Sequence, residues 1–467
     1  MSSTKPIKKK RRRDAVKAHY LPVYLRIGNF DEVNLGYTEK QEIVDEVDRC
    51  ISCRKPKCVE ACPGGFDIRG VVDKLKEDDF QGAADIVNDF YCIPSSFNRV
   101  CPAFCQDACV IGKKGDPLQI LNIKRYLADN YEKPKSFYER EALTGKMIAV
   151  IGSGPAGLTA AYDLAKKGHA VTVFEKLDIM GGMLAVGIPE YRLKNELLHA
   201  EIIDLEKLGV VFITDNAFGI DFDHDDLFNR GYNSILITIG AHKPKFMGIP
   251  GEALDGNIHA IQFLKDVAIG KDPKIGNKVM VIGGGDVAID AVRVANRLGS
   301  EAYIVYRRSK EEMPATKEEI HETDNEGIPI NFLTNPIEII GQQGKVSRVK
   351  LIKMELGETD ESGRRRPVEI EGSEYFVEVD TVIQAISQEP EYRKIKEIGF
   401  ELDRWNTFDL GEGKWETNIK GVFAAGDAVS GPRTAIEAID QARKAAIAID
   451  EYLIGKKPEE EEIIIAE

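Results

Sequence analysis

Three glycines, Gly152, Gly154 and Gly157, stand in the spacing G-x-G-x-x-G inside the stretch MIAVIGSGPAGLTAAYDLAKKGHAVTVFEK, residues 147–176. That spacing is suited to holding a pyrophosphate. The first glycine permits a tight turn, the second lets backbone approach the phosphates, and the third lets a helix pack on the preceding strand. Pro155 and Ala156 open that helix, whose first N–H groups point at the anion. Glu175 follows Gly152 by 23 residues, with Lys176 next to it. A carboxylate there can accept hydrogen bonds from both hydroxyls of a ribose. A bare glycine triplet is weak evidence and is often an ordinary strand–helix turn. Here both strands, the helix and the terminal acid fall where a dinucleotide fingerprint requires them.

The unit repeats. Gly283, Gly285 and Ala288 give G-x-G-x-x-A, with Asp286 and Val287 between, and Tyr306 again lies 23 residues after the first glycine. No acid ends the second strand; Arg307 and Arg308 follow it. A carboxylate there would repel a 2′-phosphate, whereas guanidinium groups bind one bidentately. The second unit is therefore expected to take NADP(H) rather than NAD(H), and the first is left to FAD. The alternative for the arginines is a solvated basic pair.

All eight cysteines lie between Cys50 and Cys109. Cys50-x2-Cys53-x4-Cys58-x3-Cys62-Pro63 is the first motif and Cys101-Pro102-x2-Cys105-x3-Cys109 the second, with Cys92 outside both. A disulfide framework suits a small secreted domain, not the front of a long chain without a signal peptide. Paired thiolates can hold tetrahedral zinc. The close spacing with Cys-Pro instead resembles the ferredoxin way of wrapping a [4Fe–4S] cluster, where a fourth cysteine often serves the other cluster. Seven cysteines in two motifs, directly ahead of a flavin-type domain that needs an electron outlet, favour iron and sulfur over zinc.

The elements that must position these groups can be read in coarse outline. Residues 1–40 form an N-terminal arm that opens with Lys8-Lys9-Lys10-Arg11-Arg12-Arg13. That run is read as a solvated tail, or an arm lying on a partner subunit, rather than a nucleic-acid patch. Residues 41–130 form a helical iron–sulfur domain, with helical periodicity from Val71 to Val87, and 131–146 a linker. Residues 145–241 and 380–455 form the FAD-binding domain, and 242–379 an inserted NADP-binding domain ending in a charged hairpin whose Arg364-Arg365-Arg366 is read as a solvated tip. The fold class is α/β: a helical iron–sulfur domain followed by two Rossmann-like domains. Gly182 and Met183, with Arg192 in GIPEYRL, could bring backbone against a flavin, the alternative being a plain glycine-rich loop. Thr238 and Gly240 close a strand leaving the first domain. Gly426 and Asp427 end an apolar strand and suit a ribityl or pyrophosphate region. Thr434 and Ala435 start a helix whose N-terminus favours a flavin carbonyl that gains charge on reduction.

The net charge of −14 argues against a general nucleic-acid binder. No apolar run approaches a membrane-spanning length and no signal-peptide pattern appears, so a soluble, cytoplasmic protein with no membrane association is expected. None of the seven histidines sits in a ligand-like or base-like cluster. No cysteine pair lies beside the expected flavin, and no glutaminase nucleophile stands at the N-terminus.

The split cysteine motifs, IGSGPAGL, GGMLAVGIPEYRL, IGGGDVAIDA, YRR and FAAGDAVSGPRTAIEAI together resemble one group of flavoproteins. It includes the small subunit of NADPH-dependent glutamate synthase, the large subunit of NADH-dependent ferredoxin:NADP oxidoreductase, archaeal sulfide dehydrogenase and the flavin-bearing front of dihydropyrimidine dehydrogenase. The resemblance runs from Gly36 to about Tyr452. It implies FAD, NADP(H) and two [4Fe–4S] clusters with interleaved ligands. Cys50, Cys53, Cys58 and Cys109 would hold one, and Cys62, Cys101 and Cys105 the other. Relatives often complete the second with a glutamate or glutamine, where this chain has Lys124. A protonated lysine cannot ligate iron, so Cys92 becomes the candidate fourth ligand. The alternative is a buried Cys92 thiol, with Gln119, Asp116 or solvent completing the cluster. The implied function is an oxidoreductase subunit moving electrons between NADPH, FAD and the clusters, to or from ferredoxin or a flavin/iron–sulfur partner, in a hetero-oligomer. A second reading is the electron-input subunit working with a glutamate synthase large subunit. A third, of another class, is a cluster-bearing redox sensor or nucleic-acid-binding protein.

Overall fold

The computed structural model describes residues 13–360, 363–389, 393–411 and 414–455. Two parallel sheets organise it. The first places Met147–Ile151 at the centre, between Ala170–Phe174 and Ser234–Ile237, with Val211–Ile213 and Val422–Ala424 at the edges. Ile148, Ala149 and Val150 are fully buried, as expected of a strand covered on both faces. Helices Pro155–Lys166 and Ala435–Leu453 pack on one face. Ala160, Ala161 and Ala165 meet Ala442, Ala445 and Ala446 in this core, and such small side chains let two helices approach closely.

The second sheet runs Ile330–Asn331, Glu301–Val305, Lys278–Ile282, Thr381–Gln384, Asn257–His259, again all parallel. A four-stranded antiparallel sheet hangs from it, built on Thr334–Gln342 and Lys345–Thr359. The expected return to the first domain at residue 380 therefore comes later. Thr381–Gln384 pairs with both Lys278–Ile282 and Asn257–His259, because a buried apolar run fits a sheet interior. The crossing is a two-stranded ribbon, Lys243–Pro244 against Gln388–Glu389.

The cysteine domain is helical, as expected, but Val71 to Val87 is not one helix. Ile68–Lys76 and Phe80–Phe90 are separated at Asp78, whose φ is +61°. Asp67 and Asp79 each cap a new start by accepting from Gly70 N and Gly82 N. Each cap is worth about 1 kcal/mol. The expected linker contains a short helix, Lys135–Tyr138.

The arm differs most from expectation. Lys8 to Arg12 lie outside the described residues, but from Arg13 onward the chain is strapped to itself. His19–Tyr20 pairs with Asn34–Gly36. Tyr20 donates its hydroxyl to Glu318 at 2.6 Å, Val33 N donates to the Tyr191 carbonyl, and Arg26 reaches Glu322 at 2.6 Å and Glu326 at 3.2 Å. Arg99 and Arg125 meet Glu32 from the other side. The strap thus ties the cysteine domain to the second nucleotide domain through nearly dry ion pairs.

Candidate functional site

The first glycine loop is shaped by contacts only glycine allows. Gly152 has φ +103°, and a Cβ there would lie 2.6 Å from the Thr238 carbonyl. A Cβ on Gly157 would lie 1.9 Å from the Gly152 carbonyl. Gly154 faces open space, and Gly182 lies over it, so that a Cβ on Gly182 would come 2.8 Å from Gly154 Cα. Thr238 donates its hydroxyl to the carbonyls of Ile151 and Gly152 and so braces the turn. Glu175 is buried, and its Oε2 accepts from Ser153 N and Ser153 Oγ at 2.9 and 2.6 Å while Oε1 accepts from Leu177 N. A carboxylate keeps lone pairs beyond these three bonds. Ser153, which also accepts from Gly181 N, was missed by motif reading because the fingerprint treats its position as free.

At the second loop a Cβ on Gly283 would meet the Ala385 carbonyl at 2.4 Å, and one on Gly284 the Tyr306 ring at 2.5 Å. Gly285 precedes the helix Asp286–Arg297, in which Ala288 is fully buried. Asp286 accepts from Thr316 N, and burial raises its carboxyl above the usual range against the pull of Arg192. Arg307 is exposed at the strand end. Arg308 is buried, with Nη2 2.7 Å from Asp360 and Nε donating to the Arg365 carbonyl. Arg365 in turn pairs with Glu312, so the expected solvated tip is pinned beside the arginine pair.

A cleft of about 1030 Å³ joins the domains. Gly152, Gly154, Pro155, Ala156, Glu175, Lys176, Gly182, Met183, Thr238 and Gly240 line it from the first unit, and Asp286 and Val287 from the second. Gly426, Asp427, Thr434 and Ala435 close one end, and Cys101 and Pro102 bring in the cysteine domain. Asp427 accepts from Arg433 N, and burial pushes its carboxyl up to about 6. Thr434 and Glu437 form a capping box that leaves the Ala435–Leu453 helix end facing the cleft.

Arg192 also borders the cleft, but its guanidinium is not offered to a flavin. Nη1 lies 2.7 Å from Asp290 and Nε 3.2 Å from Glu319, both of the second domain. Tyr191 is buried between the guanidiniums of Arg293 and Arg297, 4.6 and 4.0 Å from its ring centre, and donates to Asp290. GIPEYRL is the joint between the nucleotide domains, because buried carboxylates claim its one cation.

Cys50, Cys53, Cys58 and Cys109 wall one small cavity with Ile68, Val72 and Leu118. Burial first, then neighbouring Cys109, pushes the Cys58 thiol up to about 11. No group of His, Cys, Asp and Glu among the described residues closes on a single metal ion. Burial pushes the Cys105 thiol up to about 12, with Lys124 lowering it and Cys101, Cys62 and Cys58 raising it. Lys124 is buried, 3.3 Å from the Tyr91 hydroxyl and over the rings of Phe66, Tyr91 and Phe97.

Cys92 does not join them. It is buried, and its Sγ lies 3.7 Å from Thr159 Oγ1 on the Pro155–Lys166 helix. It points across the domain junction because the chain has just left the Phe80–Phe90 helix on the side facing the first sheet. Its place as a fourth ligand is withdrawn. Gln119 donates to the Pro117 carbonyl and Asp116 accepts from Ala15 N.

Residues 146–442 match the pyridine nucleotide-disulphide oxidoreductase family. The chain belongs to this family. Residues 26–136 match dihydropyrimidine dehydrogenase domain II, 4Fe-4S cluster. The family member is 37% identical over 424 residues to the NADP(+)-dependent formate dehydrogenase subunit beta of Moorella thermoacetica, covering 85% of this chain and 60% of that one. It is 36% identical to the NADPH-Fe(3+) oxidoreductase subunit beta of Geobacter sulfurreducens, covering 93% and 69%. It is 32% identical to the glutamate synthase [NADPH] small chain of Escherichia coli, covering 92% and 96%. It thus spans well under the full length of the first two. Among solved structures, Mycobacterium tuberculosis FprA in complex with NADPH shares the fold with TM-score 0.58 and 22% identity over 66% of this chain and 84% of that one. The two matches make the chain an oxidoreductase of this family with a 4Fe-4S-type domain at its front. No helix among its described residues is long and apolar enough to cross a membrane.

Proposed function

We propose that this chain is a cytoplasmic electron-transfer subunit passing electrons from NADPH, by way of FAD and two [4Fe–4S] clusters, to ferredoxin or a flavin/iron–sulfur partner subunit. The observation that carries the reading is the shared cleft: glycine-loop residues of the first unit, Asp286 and Val287 of the second, and Cys101 of the cysteine domain line one cavity. A flavin held here would supply two-electron hydride chemistry, and iron–sulfur clusters held by the cysteines would supply one-electron transfer. The chain's own residues orient and insulate. Gly152, Gly154 and Gly157 hold a pyrophosphate, Glu175 and Asp427 present carboxylates to hydroxyls, and the Ala435–Leu453 helix end favours a reduced ring. Arg307 offers its guanidinium to the 2′-phosphate of NADPH, with Arg308 fixed behind it by Asp360. Cys50, Cys53, Cys58 and Cys109 suit one cluster, and Cys62, Cys101 and Cys105 a second without a fourth cysteine.

A glutamate synthase small subunit is the second reading, favoured by the 96% coverage of the Escherichia coli small chain. Native purification followed by partner identification separates the two. A large partner with synthase activity supports the second reading, and a small iron–sulfur or flavin partner supports the first. Iron near eight atoms per chain is expected for two complete clusters. Absence of NADPH oxidation with any dye overturns both.

A further inference from the structure

We propose that Glu201 is a positioning residue for the passage of electrons from the first nucleotide unit to the cysteine domain, acting by fixing where the Cys101 turn sits against the glycine loop. The inference rests on the proposed path from NADPH through FAD to the cysteines, and says what sets its geometry. The helix Pro94–Val100, which ends at Cys101, has no capping side chain of its own; Ile93 stands at its N-cap. The first N–H groups of a helix find no partner within it. Here they are met from the other domain. Glu201 is 5% exposed, and its Oε1 accepts from Ser95 N at 2.7 Å while Oε2 accepts from Ser96 N at 2.9 Å. A carboxylate bound through both oxygens fixes direction as well as distance.

The element that carries Glu201 also reaches the glycine loop. Glu201 lies on the helix Asn195–Lys207, and Leu198 precedes it by three residues, on the same face. Leu198 packs on Gly181, where a Cβ would come 2.6 Å from its Cδ2. Gly181 N donates to Ser153 Oγ, and Gly182 lies over Gly154. One rigid face thus touches the cover of the glycine loop through Leu198 and the cysteine helix through Glu201. From its bonded amides the cysteine helix runs about 9 Å to Cys101. Arg99 holds its far end to Glu32 and Asp129. Ala103, two residues past Cys101, is kept at φ +56°, a region that side chains with a Cβ avoid. Cys101 and Pro102 then line the same cleft as Gly154 and Gly182. Any shift at the helix start is carried along it to that cleft. In the step concerned NADPH gives up two electrons and one proton to become NADP⁺, and clusters held by the cysteines take one electron each. Asp204, one turn beyond Glu201, pairs with Lys133 at 2.8 Å and so holds only the segment after the cysteine domain.

The test compares Glu201→Gln with Asp204→Ala in the full-length, cofactor-loaded protein. Gln offers one acceptor where two N–H groups need two, whereas Asp204→Ala weakens the same helix without touching the Cys101 helix. Stopped-flow mixing with NADPH follows flavin bleaching, and rapid-freeze EPR follows reduction of the clusters. In Glu201→Gln flavin bleaching and NADPH affinity are expected at wild-type values, with cluster reduction slowed roughly ten- to a hundredfold. Hydrogen exchange is expected to quicken at the Ser95 and Ser96 amides and through 101–105, while 147–160 stays protected. Asp204→Ala is expected to lower Tm and leave cluster reduction unchanged. Glu201→Asp keeps the carboxylate but is one methylene short. It covers failure of the Gln variant to fold, and is expected to slow cluster reduction at wild-type iron content. Equal slowing in Asp204→Ala, or Glu201 variants that lose Tm but keep the wild-type rate, makes Glu201 a staple only and overturns the proposal. If NADPH bleaches no iron–sulfur absorbance in the wild-type protein, the electron path itself fails. Exchange that opens 101–105 in Glu201→Gln but not in Asp204→Ala then still upholds the positioning role, and its absence overturns it.

Discussion

The two glycine loops share spacing and strand order, yet different groups close them. In the first, Glu175 is folded inward onto Ser153, Gly157 presses on Gly152, and Gly182 lies over Gly154. In the second, Ala288 takes the place of the third glycine and the strand end carries an exposed Arg307. A buried carboxylate suits uncharged hydroxyls on a resident cofactor. An exposed guanidinium suits a charged phosphate on a substrate that must arrive and leave. The lesson is that one local motif sets the fold of a nucleotide unit, while the tertiary groups at its strand end set which ligand it keeps.

The comparison is most severely tested at its third glycine. Gly157→Ala places a carbon 1.9 Å from the Gly152 carbonyl, so loss of flavin and more than about 3 kcal/mol of stability are expected. Normal flavin content after purification would show the loop to be as forgiving as the second one. Next is Arg307→Ala, expected to raise KM for NADPH roughly ten- to a hundredfold, the worth of a charged hydrogen bond, with KM for NADH unchanged. Arg308→Ala should act more weakly, since Nη2 and Nε are already held by Asp360 and Arg365. A larger effect from Arg308 would exchange the two roles.

A pH titration sharpens the first site. Asp427 is pushed up to about 6 by burial, so the native flavin-free protein favours its neutral form. That contribution is complete below about pH 4, where the unfolded chain also holds the proton, and is lost as pH rises through about 6. Asp427→Asn should therefore raise the Tm of flavin-free protein at pH 7 and leave it unchanged at pH 4. A gain of equal size at both pH values would assign the effect to packing. The smallest change is Ala288→Gly, expected to cost only about 1 kcal/mol, because the second helix already tolerates a methyl there.

The strand–glycine–helix units were legible because their information is local: apolar runs, glycine spacing and helix starts lie within thirty residues of each other. Spacing alone put Cys50, Cys53 and Cys58 in one run with Cys62, and nothing local announces that Cys109, 51 residues after Cys58, shares their cavity. Arg192 was not, because its partners Asp290 and Glu319 are about a hundred residues or more away and nothing in GIPEYRL announces them. Cys92 misled because thiol chemistry counts cysteines, while its seat against Thr159 depends on how two domains pack. The strand Thr381–Gln384 was assigned to the wrong sheet because an apolar run carries no sign of which neighbours it will find.

The strap has a consequence for how the chain is made. Arg26 leaves the ribosome early, but the carboxylates it binds, Glu322 and Glu326, lie 296 and 300 residues further on. At 5–20 residues per second the arm waits roughly 15 to 60 s before its seat exists. During synthesis the arm therefore cannot tie the cysteine domain to the second nucleotide domain until that domain has emerged.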